Sequence, residues 1–219
     1  MFGRPNSKNQ ALIKQYEQSR RIGEQFSNKI PETYGMEEYL PKILRVFGIS
    51  QGKKIALESD EELNFIMDFY LHEIQSDGQT LLERYRADNP DPDPSEVMFL
   101  DAAKASYTSL FKVTEIDPTE STVTVVDLLN PSSPPLEVIN VNLSRTGDTG
   151  YIIFSRLLPY EDFNAFSGMY AVFAEQNDRS LLKRYKVMKK RIKSDRESVQ
   201  RFVACFKLNR ILGIAVQTR

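Results

Sequence analysis

The apolar positions of the chain change period near residue 110. Before that point they step at helical intervals, and beyond it they cluster in short runs. Met36, Tyr39, Leu40, Ile43, Leu44 and Phe47 recur every three or four residues as far as Gly48, which predicts a helix whose start is delayed by Pro41. Ser59-Asp-Glu-Glu62 has capping-box spacing ahead of Leu63, Ile66, Met67, Tyr70 and Ile74. The added Phe65, Phe69 and Leu71 predict that this helix is covered on more than one side. A more polar surface helix is expected over 11–28, with Tyr16, Ile22 and Phe26 among its few apolar positions and Gly23 weakening its centre, before a turn at Pro31 to Gly35. A short amphipathic piece over 80–86 leads into Asp88-Asn-Pro-Asp-Pro-Asp-Pro94, whose alternating prolines predict an extended spacer. Ser95 is the expected cap of a further helix that reaches about Ser106.

From Leu110 onward five β-rich runs, 110–116, 122–129, 136–143, 151–158 and 165–173, are separated by proline, glycine and polar turn residues. Val113, Val125, Val138, Ile153 and Val172 are their predicted buried positions. Helical spacing returns at Asp178 or Arg179. Leu181, Tyr185, Met188 and Ile192 form one stripe, Ser194-Asp-Arg-Glu197 a second capping box, and Val199, Phe202, Val203 and Phe206 a second stripe that Gly213 ends. The predicted fold class is α+β: a helical N-terminal half, a five-strand antiparallel sheet or small half-closed barrel, and C-terminal helices packing on them. The expected divisions are a helical region over 1–87, the Asp/Pro linker 88–94, a helix plus β module over 95–177, and a basic helical region over 178–219. Two separately folding domains hinged at 88–94 are the alternative.

Composition narrows the function classes. The 219 residues carry a net charge of −1, which conceals segments of +5 over 1–55, −10 over 56–106, −6 over 107–180 and +10 over 181–219. Such segregation points to an anionic partner for the basic end, or to a basic tail closing on the acidic middle of the same chain or of a second copy. One cysteine, Cys205, excludes an internal disulfide framework and fits a reducing, cytoplasmic setting. The N-terminus lacks the apolar stretch of a secretory signal, and 202–216 is too short and too interrupted to be a transmembrane segment.

The series Ser109-Leu-Phe-Lys-Val113, Asp127-Leu-Leu129, Ser144, Gly150, Arg156-Leu-Leu-Pro159 and Ser167-Gly168 resembles a group of uncharacterised bacterial proteins, some of which carry a C-terminal, Cys-rich zinc motif of the SEC-C kind. The resemblance covers about residues 106–174 and implies a shared β module. With only Cys205 and His72, this chain departs from the zinc motif, so a function tied to that metal does not carry over.

The most conspicuous candidate for chemistry is the basic run of Lys183, Arg184, Lys186, Lys189, Lys190, Arg191 and Lys193. Lys183, Lys186, Lys190 and Lys193 line one helical face, opposite the Leu181 and Tyr185 stripe. That face suits an acidic protein, an anionic membrane surface or a nucleic acid, and equally a solvated helix. Arg156 and Asp127 are a second candidate, as a ligand site or as a pair that fixes strand register. Asp88, Asp91, Asp93 and Glu96 suggest calcium, but three prolines restrict the backbone that must wrap the ion, so a solvated linker is the better reading and no metal site is expected. His72 and Cys205 stand in no catalytic signature, and no nucleotide-binding or hydrolase motif occurs. The sequence therefore favours a non-catalytic interaction or regulatory protein with no cofactor, whose partner is another protein or a second copy. Nucleic-acid binding through 181–196 is the alternative, and an enzyme of unrecognised type the third reading.

Overall fold

The computed structural model describes residues 7–51, 54–174 and 178–214. The first helix, α1 (Ser7–Tyr34), runs past both ends of the expected segment. Pro31 lies in its last turn, where few intrahelical bonds remain to be lost, and Gly35 N–H closes onto the Pro31 carbonyl at 2.9 Å. It is not a surface helix, because Tyr16, Ile22, Phe26 and Ile30 are buried along one stripe. Helix α2 (Leu40–Phe47) accepts Pro41 in its first turn and ends at left-handed Gly48, φ 75°. A two-residue hairpin, β1 (Ser50–Gln51) and β2 (Lys54–Ile55), leads to α3 (Glu62–His72).

The Ser59 capping box does not form. Helix α3 has no side-chain cap, and the Glu62 carboxylate instead accepts the Glu58 N–H and a bidentate bond from Arg210, 148 residues away. A true box closes the next helix, α4 (Leu81–Asp88), where Thr80 and Glu83 satisfy each other's backbone N–H. Thr80 also ends the small hairpin of β3 (Gln75–Ser76) and β4 (Gln79–Thr80), turned by Asp77-Gly78 with φ 54° and 81°. Helix α5 (Pro94–Ala105) is capped by Asp93, not Ser95, with Pro94 in its first turn. The Asp/Pro stretch is thus a short connection, and α4 and α5 pack on each other and on α1. Gly23 permits the α1–α5 approach, since a Cβ there would meet the Phe99 ring at 3.2 Å.

The β module is a closed, mixed barrel of five strands: β5 (Tyr107–Asp117), β6 (Thr122–Asp127), β7 (Leu136–Ile139), β8 (Ile152–Pro159) and β9 (Asn164–Phe166). The order is β5-β6-β7-β9-β8, closing from β8 back to β5, with helix α6 (Leu143–Thr146) between β7 and β8. All pairings are antiparallel except β7 with β9, so the expected all-antiparallel sheet becomes mixed at the seam that closes it. The last predicted run is two strands, because a turn through Gly168 (φ 98°) separates β9 from β10 (Ala171–Phe173), which pairs further along the same edge of β8, opposite β5. Long β5 serves both halves of the barrel, pairing with β8 through its first six residues and with β6 from Phe111 onward, and it bends at a bulge between Val113 and Glu115.

Strand parity divides the interior in two. Phe111, Val113, Val123, Val125, Val138, Ile153, Leu157 and Phe166 fill the barrel. Leu110, Ile152, Phe154 and Leu158 point outward into a larger core shared with the helices. Helix α7 (Asp178–Arg191) lies on α8 (Glu197–Leu212), and α8 packs its Phe202 and Phe206 among Phe47, Phe65 and Phe154. The second expected capping box is also absent. Arg196 is the residue that caps α8, without a side-chain bond, while Glu197 turns to Lys189 and Arg201.

Candidate functional site

The same parity decides where Arg156 goes. It shares the outward face of β8 with Phe154 and Leu158, opposite Thr108 of β5, and is 3% exposed. Its Nε donates to Asp68 at 2.8 Å and its Nη2 to Glu73 at 2.9 Å. The other oxygen of Asp68 accepts from the Ser167 hydroxyl, and the other oxygen of Glu73 accepts from Arg196 and Ser198, each bond 2.8 Å long. Two guanidinium groups thus meet two carboxylates, and every carboxylate oxygen has a donor. Burial opposes the charge on Arg156, yet Asp68 and Glu73 hold its pKa above the usual arginine value. The cluster ties α3, the barrel and the entry to α8 together, and it is tolerated inside because both signs and all acceptor positions are matched.

Asp127 does not join Arg156. At the end of β6 it accepts the Ser109 hydroxyl and the N–H groups of Leu129 at 2.9 Å and Asn130 at 3.1 Å, which fixes the turn leaving the strand. The acidic residues of the Asp/Pro stretch are likewise separated: Asp88 accepts from the Tyr34 hydroxyl, Asp93 caps α5 and Glu96 pairs with Lys29. His72, at the end of α3, is held well below the ordinary histidine range, first by burial and then by the charge of Arg156. Cys205 is fully buried on α8, and burial pushes its thiol pKa up, so it fills space rather than presenting a nucleophile.

The basic run occupies α7 and the residues just after it. Leu181 and Tyr185 are buried, and Met188 and Ile192 pack partly against the main core. Lys183, Arg184, Lys186, Lys190, Arg191 and Lys193 are exposed and take no ion pair among the described residues. Lys189 alone is engaged, with Glu197 at 2.5 Å. The basic tail does close on the acidic middle segment, but through Arg196 on Glu73 and Arg210 on Glu58 and Glu62. Sequence spacing does not single out those two arginines, because their partners lie 123 and 148 residues away. A weaker signal lies in the charged positions of apolar elements: Asp68 and Glu62 belong to an otherwise strongly apolar helix, and Arg156 to an apolar strand face.

Small five-stranded barrels of the OB type bind oligonucleotides on the face of their second and third strands. Here the outward positions of the second and third strands, β6 and β7, are Thr122, Thr124, Val126, Glu137 and Ile139, which offer neither the aromatic platform nor the positive groove that such binding uses. No helix among the described residues is long and apolar enough to cross a membrane. No curated protein and no solved structure matches the chain. A family of unknown function, DUF7986, matches residues 10–219, and the chain belongs to it.

Proposed function

We propose that this is a cytoplasmic, non-catalytic interaction protein that engages an acidic protein surface through α7. The observation that carries the reading is the set of six exposed cations on and just after one helix whose apolar side is already packed. A helix so anchored presents its charge in fixed geometry, which favours partner selection and fast encounter more than affinity. A protein partner is favoured over a polynucleotide because the exposed band includes Val187, 47% exposed, and no aromatic side chain for base stacking. An acidic surface of suitable kind exists on the molecule itself, where exposed Glu58, Asp60 and Glu61 adjoin Leu63, 52% exposed.

The test compares the wild type with a variant in which Lys183, Arg184, Lys186, Lys190, Arg191 and Lys193 are replaced by Gln. The wild type is expected to retain acidic proteins in a native pull-down, or to self-associate by light scattering at low salt, and the variant to lose both. Equal behaviour of the two proteins removes the reading. Binding of generic DNA or RNA with a steep salt slope that the variant lacks would replace it with nucleic-acid recognition.

A further inference from the structure

Between α4, α5, α8 and the outer face of β5 and β8 lies a cavity of about 430 Å³, within the range of small-molecule sites. Its wall includes Arg86 from α4, Lys104 from α5, Thr108 from β5, Ser198 and Arg201 from α8, and Arg196 at the entry to α8. Five cations line it against the three acids Glu73, Glu83 and Asp101. Two of these acids are already committed: Glu73 to Arg156, Arg196 and Ser198, and Glu83 to the Thr80 capping box.

The described residues hold four buried side-chain polar atoms without a hydrogen-bond partner, and three of them, Arg86 Nη1, Arg201 Nε and Thr108 Oγ1, belong to residues that line this cavity. Thr108 is 2% exposed. Buried polar atoms are rarely left unpaired, and three on one cavity need a common explanation. Their chemistry defines the group they suit. A guanidinium nitrogen can only donate, and a threonine hydroxyl can donate, so all three suit an acceptor. Arginine donors are best matched by a carboxylate or phosphate. Arg86 makes no ion pair among the described residues, whereas Arg201 has Nη1 fixed on the Thr108 carbonyl at 2.6 Å and Nη2 facing Glu197 at 3.9 Å, with Nε unpaired. Leu82, Leu100 and Tyr107 supply an apolar side to the same cavity.

We propose that this cavity binds a small organic oxyanion, with its phosphate or carboxylate held by Arg86, Arg201 and the Thr108 hydroxyl and its apolar part against Leu82 and Leu100. The site does not involve α7 and stands or falls separately from the α7 reading. Titration calorimetry of the full chain with phenyl phosphate, benzoate, inorganic phosphate and neutral benzyl alcohol tests it. Phenyl phosphate or benzoate is expected to bind, inorganic phosphate more weakly, and benzyl alcohol not at all. Which of the first two binds more tightly assigns the headgroup. Arg86→Gln should weaken binding at least tenfold while leaving the melting temperature of the unliganded protein unchanged or raised, because no hydrogen bond or ion pair is removed. Thr108→Val is the second variant, isosteric and without the hydroxyl, and should weaken binding severalfold. The six-Gln variant of α7 should bind as the wild type does. Failure of all three anions to bind, affinity unaffected by Arg86→Gln, or a fall in the melting temperature of unliganded Arg86→Gln would overturn the proposal, the last because it would make Arg86 a structural residue.

Discussion

The interior cluster around Arg156 and the cationic band on α7 use the same kinds of side chain under opposite conditions. Around Arg156 two cations face two carboxylates, and Arg156, Asp68 and Glu73 are each at most 6% exposed. On and just after α7 six cations project into solvent with no carboxylate within ion-pair reach among the described residues. Local charge density is far higher on α7, yet the charges that organise the fold are the isolated ones. A cation becomes structural when an apolar frame carries it inward: Phe154 and Leu158 flank Arg156 on its strand face, and the Phe206 ring lies 5.2 Å beneath Arg210. Where the frame points the other way, as on α7, density of charge serves only the outside.

The contrast can be broken most directly at its buried end. Arg156→Gln would leave Asp68 and Glu73 inside with one guanidinium fewer, a change that costs about 3–5 kcal/mol when a buried pair is broken. Urea denaturation should show a loss of that order, and adding Asp68→Asn should recover part of it, since the neutral amide no longer needs the charge. A loss under about 1 kcal/mol for Arg156→Gln would mean that solvent reaches the cluster and that the two regions differ less than their exposure indicates.

His72 sharpens the comparison through pH. Its folded pKa lies below the unfolded value of about 6.5, so between the two the unfolded chain binds the proton more readily. The resulting stability is complete above about pH 6.5 and is lost as pH falls toward the folded pKa, with a slope of at most about 1.4 kcal/mol per pH unit. As the sole histidine, it should dominate the change in urea midpoint between pH 7.5 and 5.5, and His72→Gln should flatten it. An unchanged slope in the variant would show that the ring is protonated in the folded state despite Arg156 nearby.

What the sequence reveals of this fold divides along the same line as the charges. Periodicities are local, so the five β runs, their buried Val113, Val125, Val138, Ile153 and Val172, and the stripe of α8 are legible from a few residues each. The Asp77-Gly78 hairpin was equally legible, from a two-residue turn signal that a helix-period reading passes over. Capping boxes are less secure. Glu62 and Glu197 stand at the right spacing, but stronger partners, Arg210 for one and Lys189 for the other, reach them from elsewhere. The parallel β7–β9 seam and the Arg156 cluster rest on contacts 26 residues apart at Ile139–Ala165 and 83 to 88 residues apart at Arg156, for which a single sequence holds no period. Asp127 is the carboxylate that the sequence reading sets beside Arg156, and the fold gives it to a turn instead.

The smallest expected effect belongs to α7, and it tests the comparison from the outside. If the six exposed cations serve no internal contact, replacing all of them by Gln should move the folding free energy by no more than about 0.5 kcal/mol, the usual range for surface substitutions. Helix propensity changes little between Lys, Arg and Gln, so the backbone of α7 gives no reason for a larger loss. Relief of repulsion among like charges acts in the opposite direction and should fade as salt rises. Stability is therefore expected to be equal or slightly higher for the variant at low salt, with the two proteins converging at high salt in parallel urea titrations. Lys189→Gln is the internal control, because it removes the one ion pair on this face, to exposed Glu197. A loss above about 1 kcal/mol for the six-Gln variant would mean that the band docks within its own chain, and the division between interior and exterior charge would then fail at α7.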